Sequence, residues 1–342
     1  MPVHRRLTML LLKSAVAVSM AIAGCLAAIG ILYAFGAAQD LFGGQGTPTE
    51  FGATWSKPYA ESLGLDWKAG YLAMLDDLGL RKLRIPVYWD EVEPRPGVYD
   101  FSDVDWQVAE ASKRGAKVIL SVGMRVPRWP ECHLPGWAKG LDDAALLGKA
   151  REAAGRAVER YRREPAIVEW QVENESFLKF GDCPKISKED LAAEVAVVRD
   201  LDARPVLLQD PGEFSTWMKS APLADDLGVS LYRLVWDKHL GYVRWPGIAG
   251  AYRLRAALAE RHVRRVINTE MQAEPWTRIA IAKMPLDEQL RQMNPKVLES
   301  NVRYARRIGF PETYFWGVEW WYWLKQQGRP EMWDAAKKMI KG

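Results

Sequence analysis

Two glutamates are the residues of this sequence best placed to do acid–base or nucleophilic chemistry. Glu175 and Glu270 each end an apolar run of strand length, at 170–175 and 266–270. A carboxylate at the end of a strand lies at the carboxyl edge of its sheet, and in an α/β barrel that edge carries the catalytic residues. Two carboxylates that face each other there can cleave a glycosidic bond, one as the acid and the other as the nucleophile. We therefore predict that the fold brings Glu175 and Glu270 into one pocket.

The elements that would position these glutamates alternate along the chain. Strand-like and helix-like stretches recur about every 35 residues, which is long enough for one βα unit each. Eight strands in about 290 residues predict a (β/α)8 TIM barrel. An open, doubly wound sheet would use the same alternation, but no glycine-rich phosphate loop follows the first strand. The predicted strands are 50–55, 82–87, 117–122, 166–172, 205–209, 228–232, 265–269 and 313–318, and the predicted helices are 67–78, 102–114, 144–163, 188–201, 249–261 and 295–307.

An arginine interrupts the second predicted strand. Arg84 lies among the apolar residues of 83–87. Because a buried arginine is costly unless a carboxylate or a ligand pairs with it, Arg84 is expected to lie beside the nucleophilic glutamate and to keep it ionised. A salt bridge in the barrel core is the alternative interpretation. The acid needs the opposite environment, in which apolar walls or a like charge raise the pKa of its carboxyl group.

Aromatic residues are concentrated near the predicted carboxyl ends of the strands. The chain contains 16 tryptophans, which are hard to bury because each indole N–H needs a partner. Sugar rings present C–H faces that stack on indole, so the clustering favours a saccharide site, although loop packing explains any single tryptophan as well. His133 is a further candidate for the cleft. The aromatic candidates are Trp55, Trp89, Trp129, Trp137, Tyr232, Trp236, Trp276, Trp316, Trp320 and Trp321.

The motifs resemble those of glycoside hydrolase clan A, the retaining (β/α)8 enzymes that include cellulases and β-galactosidases. The resemblance covers most of residues 50–325. It implies that Glu175 is the acid/base, that Asn174 contacts the sugar 2-hydroxyl and that Glu270 is the nucleophile. The matching segments are Leu83-Arg84-Ile85, 89–94, 96–101, 170–175, Ser230-Leu231-Tyr232, Asn268-Thr269-Glu270 and 314–317.

The same resemblance implies supporting roles for three further residues. Tyr232 would hydrogen-bond the nucleophile, Arg84 would support it, and Trp316 would form the floor of the subsite for the reacting sugar. Ser176 stands where many clan members carry proline, and Glu274 is a rival nucleophile. Glu270 is preferred because it ends the apolar run directly, whereas Glu274 precedes a proline and is predicted to lie in the loop.

Composition limits the partners of the chain. The net charge is only +4, and lysine and arginine are interleaved with aspartate and glutamate, which does not indicate a nucleic-acid surface. The four histidines show no metal-ligand spacing, and no cofactor motif is present. The expected partner is a β-linked poly- or oligosaccharide. Cys132 and Cys183 follow the third and fourth predicted strands and so lie on the same face, where we predict a disulfide between them, with two free thiols as the alternative.

The N-terminal region is predicted to attach the chain to a membrane. Residues 14–38 are almost uninterrupted apolar residues, which exceeds the roughly 20 that span a bilayer. With the basic segment 1–13 inside, a linker at 39–49 and a catalytic domain at 50–342, this pattern predicts an anchor helix that holds the domain outside the cytoplasm. A cleaved signal, which would make the protein secreted, and lipidation at Cys25 are the alternatives.

The leading functional hypothesis is a retaining β-glycoside hydrolase. A transglycosylase would use the same carboxylate pair with a sugar as acceptor, and a saccharide-binding protein would use the aromatic cleft without chemistry. A metal-dependent barrel hydrolase is disfavoured because the sequence has no cluster of histidine and aspartate ligands. The sugar, the linkage and the choice between internal and terminal cleavage depend on loop shapes.

Overall fold

Eight parallel strands close into a barrel. The computed structural model describes residues 48–341 apart from positions 180, 182, 214, 238, 246 and 278, together with scattered helical positions between 16 and 34. The barrel order is β1-β2-β3-β4-β5-β6-β9-β10, closing on β1, and β7 and β8 form a separate antiparallel pair inserted after β6. The (β/α)8 prediction is confirmed. The strands are β1 Glu50–Thr54, β2 Lys82–Pro86, β3 Lys117–Val122, β4 Ile167–Val172, β5 Val206–Asp210, β6 Asp226–Leu231, β7 Leu234–Asp237, β8 Gly241–Arg244, β9 Val266–Gln272 and β10 Glu312–Trp316.

Helices surround the barrel, and all six predicted helices are present. Several begin at a side-chain cap that the sequence carries, such as Asp66, Asp142 and Asn294, whose carboxyl or amide oxygens accept from backbone N–H groups of the first turn. Ser187 and Asp190 form a reciprocal capping box. The helices are α1 Lys57–Ser62, α2 Trp67–Asp76, α3 Trp89–Val92, α4 Ser102–Lys113, α5 Asp143–Tyr161, α6 Lys188–Leu201, α7 Ala249–Ala259, α8 Leu286–Gln292, α9 Pro295–Ile308, α10 Val318–Gln326 and α11 Glu331–Lys341.

The lower end of the barrel is closed by ionic and apolar contacts. Arg265 pairs with Glu169 at 3.0 Å and with Asp226 at 2.6 Å, and Lys82 pairs with Glu312 at 2.8 Å. All of these side chains lie at or near the amino ends of the strands. Next to them is a small apolar cluster inside the barrel, formed by Ile119, Leu207, Ile267 and Tyr314. The amino end is therefore occupied by structural contacts, which leaves the carboxyl end for a site.

A β-bulge in β9 sets the direction of Glu270. Asn268 pairs with Val229 of β6, but Glu270 pairs with Ser230, so β9 carries one extra residue at Thr269. Because of the bulge, consecutive side chains both point into the barrel. Thr269 Oγ1 donates to Gln209 Oε1 at 2.9 Å, while Glu270 Oε1 accepts from Gln209 Nε2 at 2.8 Å. Without the bulge, side chains would alternate strictly along β9, and either Thr269 or Glu270 would point out of the barrel.

The predicted membrane anchor must be corrected. Within the part of the chain that the structure describes, no helix is both long enough and apolar enough to cross a bilayer. The anchor at 14–38, the membrane as a partner and the extracytoplasmic location that followed from it are therefore not supported. Residues 1–13, most of 14–38 and positions 39–47 lie outside the described residues.

Candidate active site

Glu270 is held by three hydrogen-bond donors at the upper end of the barrel. Its Oε1 accepts from Arg84 Nη1 at 2.9 Å and from Gln209 Nε2 at 2.8 Å. Its Oε2 accepts from the Tyr232 hydroxyl at 3.1 Å. Donors of this kind stabilise the ionised carboxylate, and the cationic one does so most strongly. Both carboxyl oxygens of Glu270 therefore accept hydrogen bonds, and one of the donors is a cation.

Arg84 connects the ends of three strands. Its Nε donates to Gln171 Oε1 at 2.6 Å, its Nη2 donates to Asn174 Oδ1 at 2.6 Å, and Nη2 also donates to Gln209 Oε1. The guanidinium is completely buried, so these acceptors and the charge of Glu270 compensate for its removal from water. The arginine inside an apolar strand therefore lies beside Glu270 and orients Asn174 at the same time.

Glu175 has the opposite environment. A turn after β4 holds Glu173 and Glu175 in the left-handed region, with φ of 56° and 48°, and the Ser230 hydroxyl donates to Glu175 Oε1 at 2.8 Å. Burial, followed by the negative charges of Glu270 and Glu131, raises the pKa of the Glu175 carboxyl well above its usual range. Glu175 and Glu270 thus lie in contrasting surroundings, one buried beside two like charges and the other surrounded by hydrogen-bond donors. Such a contrast is the pattern that acid–base assignments depend on.

Glu131 is a third acid in this pocket, and sequence reasoning missed it. Burial and the nearby charge of Glu270 raise the pKa of Glu131 to about 7, against smaller opposing effects of Arg125 and of a hydrogen bond to Asn174. The Oε2 atom of Glu131 is buried without a hydrogen-bond partner in the described structure. The sequence carries one signal for it, namely its position next to a cysteine expected to form a disulfide.

The loop that carries Glu131 is held in an unusual conformation. Arg128 and Glu131 both have positive φ values, 96° and 74°. A disulfide between Cys132 and Cys183, with Cα atoms 5.5 Å apart, joins this loop to the loop after β4. Residues held at positive φ cost free energy and persist only where the surroundings enforce them, as they commonly do at functional sites. The bridge thus connects the loop of Glu131 to the loop that follows Glu175.

Trp316 is partly covered by an arginine. The guanidinium of Arg128 lies 3.9 Å from the ring centre of Tyr59 and 4.2 Å from that of Trp316. Arg128 also forms ion pairs with Glu319, at 2.9 Å, and with Glu274. One face of Trp316 is therefore occupied by Arg128. Glu274, the rival nucleophile, is engaged in this ion-pair cluster, since it also accepts from the Tyr59 hydroxyl at 2.8 Å.

Four predicted substrate contacts do not join the group around Glu270. Trp55, Trp89 and Trp320 are fully buried in the helical layer, and His133 packs against Tyr88 with ring centres 4.3 Å apart. Each is explained by packing. The Trp55 ring fills the space at Gly70, Trp89 Nε1 donates to Glu93 at 2.6 Å, Trp320 Nε1 donates to Gln289 at 2.8 Å, and His133 Nε2 lies 3.0 Å from the Arg128 carbonyl oxygen.

Trp276 packs against Tyr232, which is one of the hydrogen-bond donors to Glu270. Its ring meets that of Tyr232 edge to face, with centroids 5.4 Å apart, and both residues are half-buried. The Tyr242 hydroxyl of the β7–β8 pair donates to the Trp276 carbonyl at 3.3 Å. The inserted hairpin therefore supports the loop after β9, on which Trp276 lies.

A buried pair of acids supports the turn before Glu175. The carboxylate of Glu173 accepts from the backbone N–H groups of Met124 at 3.0 Å and of Arg125 at 2.8 Å. Burial is the main reason that the pKa of Glu173 is raised to about 7, and burial together with the charge of Glu173 raises the pKa of Glu194. The raised pKa values favour the neutral form of these two acids, which lowers the cost of burying them side by side.

Gly123 makes room for this pair, which leads to a stability prediction. Its φ is +118°, and a Cβ there would lie 2.5 Å from Glu173 Oε1. We expect Gly123→Ala to lower the free energy of unfolding by about 2–4 kcal/mol through strain and steric overlap, measured by urea denaturation. The matched control is Gly136→Ala, where a Cβ would meet nothing within 4 Å. Equal stability of the two variants would contradict the packing at Gly123.

Among the residues that the structure describes, no three His, Cys, Asp or Glu side chains are grouped so that they could hold a metal ion. The ring of His133 is engaged with the Arg128 carbonyl and with Tyr88. The functional groups described around Glu175 and Glu270 are carboxylates, amides, hydroxyls and guanidinium groups.

The fold is similar to that of solved glycoside hydrolases, although no protein-family model and no curated protein matches the sequence. A GH5_18 variant from Bifidobacterium longum in complex with Manβ1-4GlcNAc aligns with a TM-score of 0.57 and 15% identity, over 79% of this chain and 69% of the other. An exo-β-1,4-mannosidase from Opitutaceae bacterium strain TAV5 aligns with a TM-score of 0.54 and 16% identity, over 79% and 52%. A β-galactosidase from Marinomonas ef1 gives 0.55 and 14%, over 86% and 59%.

At such low sequence identity the similarity shows the fold alone. The chain spans little more than half of the mannosidase and galactosidase chains. The resemblance to glycoside hydrolase clan A is confirmed at the level of the fold, because the chain and these neighbours share a barrel of eight parallel strands.

Proposed function

We propose that the chain is a retaining β-glycoside hydrolase with Glu270 as nucleophile and Glu175 as acid/base. The observation that carries the proposal is the contrast between the two glutamates. Glu270 receives three hydrogen bonds that stabilise its charge, whereas Glu175 is buried, faces Glu270 and has a raised pKa. This division of roles is the one that glycoside hydrolysis with retention requires.

The first step forms a glycosyl-enzyme. A carboxylate oxygen of Glu270 attacks the anomeric carbon of the bound sugar, and the bond from that carbon to the leaving oxygen breaks. The proton of Glu175 moves to the leaving oxygen. Glu175 is then an anion and Glu270 an uncharged ester, so the negative charge that raised the pKa of Glu175 is gone and Glu175 is ready to act as a base.

The second step releases the sugar. Glu175 removes a proton from a water molecule, whose oxygen attacks the anomeric carbon, and the ester bond to Glu270 breaks. The donors from Arg84 and Tyr232 stabilise the carboxylate that leaves. A sugar hydroxyl in place of water would give transglycosylation with the same proton transfers.

The substrate proposed is a β-linked poly- or oligosaccharide. The solved neighbours include a protein in complex with Manβ1-4GlcNAc, which makes β-mannosides a first choice among test substrates. Asn174, whose Oδ1 is fixed by Arg84, is proposed to contact the sugar next to the scissile bond, and Trp316, which Arg128 covers on one face, is proposed as the floor of the subsite for the reacting sugar.

The test is hydrolysis of a panel of aryl β-glycosides and β-linked oligosaccharides, with the anomeric configuration of the first product read by ¹H NMR. Net retention supports the proposal. Net inversion would contradict the nucleophilic role of Glu270, and binding of oligosaccharides without turnover across the panel would favour a saccharide-binding protein instead.

The charge of Glu131 should influence the pH dependence of this reaction. A negative charge near Glu175 raises its pKa, so Glu131→Gln should lower the pKa of Glu175. Because the acid must be protonated, the alkaline limb of the kcat/KM profile should move to lower pH by roughly one unit. Asp90→Asn is the matched control, since its side chain is 42% exposed and its charge is screened by solvent. An unmoved alkaline limb in Glu131→Gln would contradict this role.

A further inference from the structure

The hydroxyl of Ser230 is fixed by two partners. The backbone N–H of Gly212 donates to Ser230 Oγ at 2.9 Å, and Ser230 Oγ lies 2.8 Å from Glu175 Oε1. An amide N–H can only donate, so Gly212 uses one lone pair of the serine oxygen. The serine hydrogen remains available, and the carboxyl group of Glu175 is the acceptor within reach.

This geometry decides which way the hydrogen bond runs. If Glu175 Oε1 carried the acid proton and donated it to Ser230, the serine hydrogen would be buried without an acceptor, because Ser230 is only 2% exposed. An unsatisfied buried donor costs about 1–3 kcal/mol. The favoured arrangement is therefore Gly212 N–H to Ser230 Oγ, and Ser230 O–H to Glu175 Oε1. The acid proton is then left for Oε2.

The backbone around Ser230 is built to keep this arrangement. A Cβ at position 212 would lie 1.7 Å from the Ser230 carbonyl oxygen, so the close approach of the loop after β5 to strand β6 requires glycine. Arg255 Nη1 donates to the Gly212 carbonyl and, at 3.0 Å, to that of Ser215. The Tyr252 hydroxyl lies 3.2 Å from the Ser230 carbonyl oxygen and donates to Glu213 at 2.6 Å.

Ser230 is also tied to the nucleophile. It pairs with Glu270 in the register of β6 and β9, directly after the bulge. The hydrogen bond from Ser230 therefore places Glu175 relative to the strand that carries Glu270. In the part of the chain that the structure describes, no other hydrogen-bond donor is directed at the Glu175 carboxyl group.

We propose that Ser230 is a positioning residue that holds the proton of Glu175 on Oε2, directed at the leaving oxygen of the substrate. The proposal deepens the glycosidase function and depends on it for its kinetic consequence. In the second step the same hydroxyl donates to the carboxylate form of Glu175 and stabilises it while Oε2 accepts the proton of water. In both steps the transferred proton is therefore carried by Oε2 of Glu175, while Oε1 accepts the hydrogen bond from Ser230.

The first experiment needs no turnover. Glu carboxyl carbons labelled with ¹³C are titrated by NMR, and the Glu175 signal is assigned by its loss in Glu175→Gln. The charged and titratable groups that face Glu175 are Glu270, Glu131, Arg125 and Tyr232, and Ser230→Ala leaves all of them in place. Because Ser230 stabilises the anion, its loss should move the Glu175 midpoint upward by at least half a pH unit, and Ser230→Thr should restore it. An unchanged or lowered midpoint in Ser230→Ala overturns the proposal.

The second experiment separates positioning from a structural role. For aryl β-glycosides of one sugar, kcat/KM of Ser230→Ala should fall 10-fold or more with a methylumbelliferyl leaving group, but less than threefold with a 2,4-dinitrophenyl group, which leaves without a proton. The control Ser121→Ala removes a buried barrel hydroxyl that has no hydrogen-bond partner in the described structure. A uniform fall for both leaving groups overturns the proposal. If wild-type protein cleaves no glycoside at all, the glycosidase function fails, and the NMR titration still decides the role of Ser230.

Discussion

Replacement of Glu270 by glutamine should reduce turnover of any β-glycoside substrate by at least about 10⁴-fold, as loss of a covalent nucleophile does in other enzymes. An amide cannot form the ester of the first step. The side chain keeps its size, and the Gln171, Asn174 and Gln209 oxygens still accept from Arg84, so the fold is expected to persist. The measurement is kcat on an aryl β-glycoside, with circular dichroism to verify folding.

The comparison variant is Glu274→Gln, because Glu274 was the rival nucleophile. Glu274 pairs with Arg128 and Tyr59, so its replacement should affect stability more than chemistry. Tandem mass spectrometry after reaction with an activated 2-deoxy-2-fluoro glycoside provides an independent test, since fragmentation of the labelled peptide should place the label on Glu270 and not on Glu274. Normal activity in Glu270→Gln, or a label on Glu274, would refute the assignment.

Replacement of Glu175 by alanine should reduce kcat/KM by about 10²–10⁴-fold for substrates whose leaving group must be protonated. The reason is that Glu175, whose pKa burial and like charges raise, is the proposed proton donor, and alanine cannot donate. A 2,4-dinitrophenyl glycoside should still form the glycosyl-enzyme, but water should react slowly with it because the base is also lost. The burst of dinitrophenolate gives the rate at which the glycosyl-enzyme forms. The steady state that follows gives the rate at which water reacts with it.

Azide supplies the control for Glu175→Ala. This small anion needs no general base, so it should restore steady-state turnover of the dinitrophenyl substrate and give a β-glycosyl azide as the product. Glu131→Ala should show no azide rescue, because Glu131 is proposed to act through its charge. A β-configured product supports retention, whereas an α-configured azide would indicate that the two glutamates flank the sugar as an inverting pair.

Much of the barrel was predictable because the signals for it are local. The hydrophobic runs of β2 to β4 and the periodic patterns of α4 to α6 lie within a few residues of where the structure has them. Period and propensity depend on neighbours in the chain, and so they can be recognised without tertiary information. Short helices such as α1 and α3 were missed, since one or two turns do not establish a period.

The same local reasoning misled at the N-terminus and among the tryptophans. Hydrophobicity alone predicted an anchor at 14–38, which the described residues do not support. Aromatic residues near strand ends were all candidates for the cleft, but Trp55, Trp89 and Trp320 point into the helical layer. When a residue lies in the loop after a strand, its position along the chain does not tell whether its side chain points into the cleft or into the helical layer. A single change of the backbone angle φ redirects the side chain.

The sequence by itself determined the alternation that makes a barrel and located Glu175 and Glu270 near the carboxyl ends of two strands, although Glu270 lies two residues before the end of β9 and Glu175 three residues after the end of β4. Only the tertiary structure decided the surroundings of each glutamate, since Arg84, Glu131 and Ser230 come to them from other strands and loops. Hydrogen bonds and charges act over a few ångströms whatever the separation along the chain, and a bulge or a left-handed residue sets which side chains come within that range.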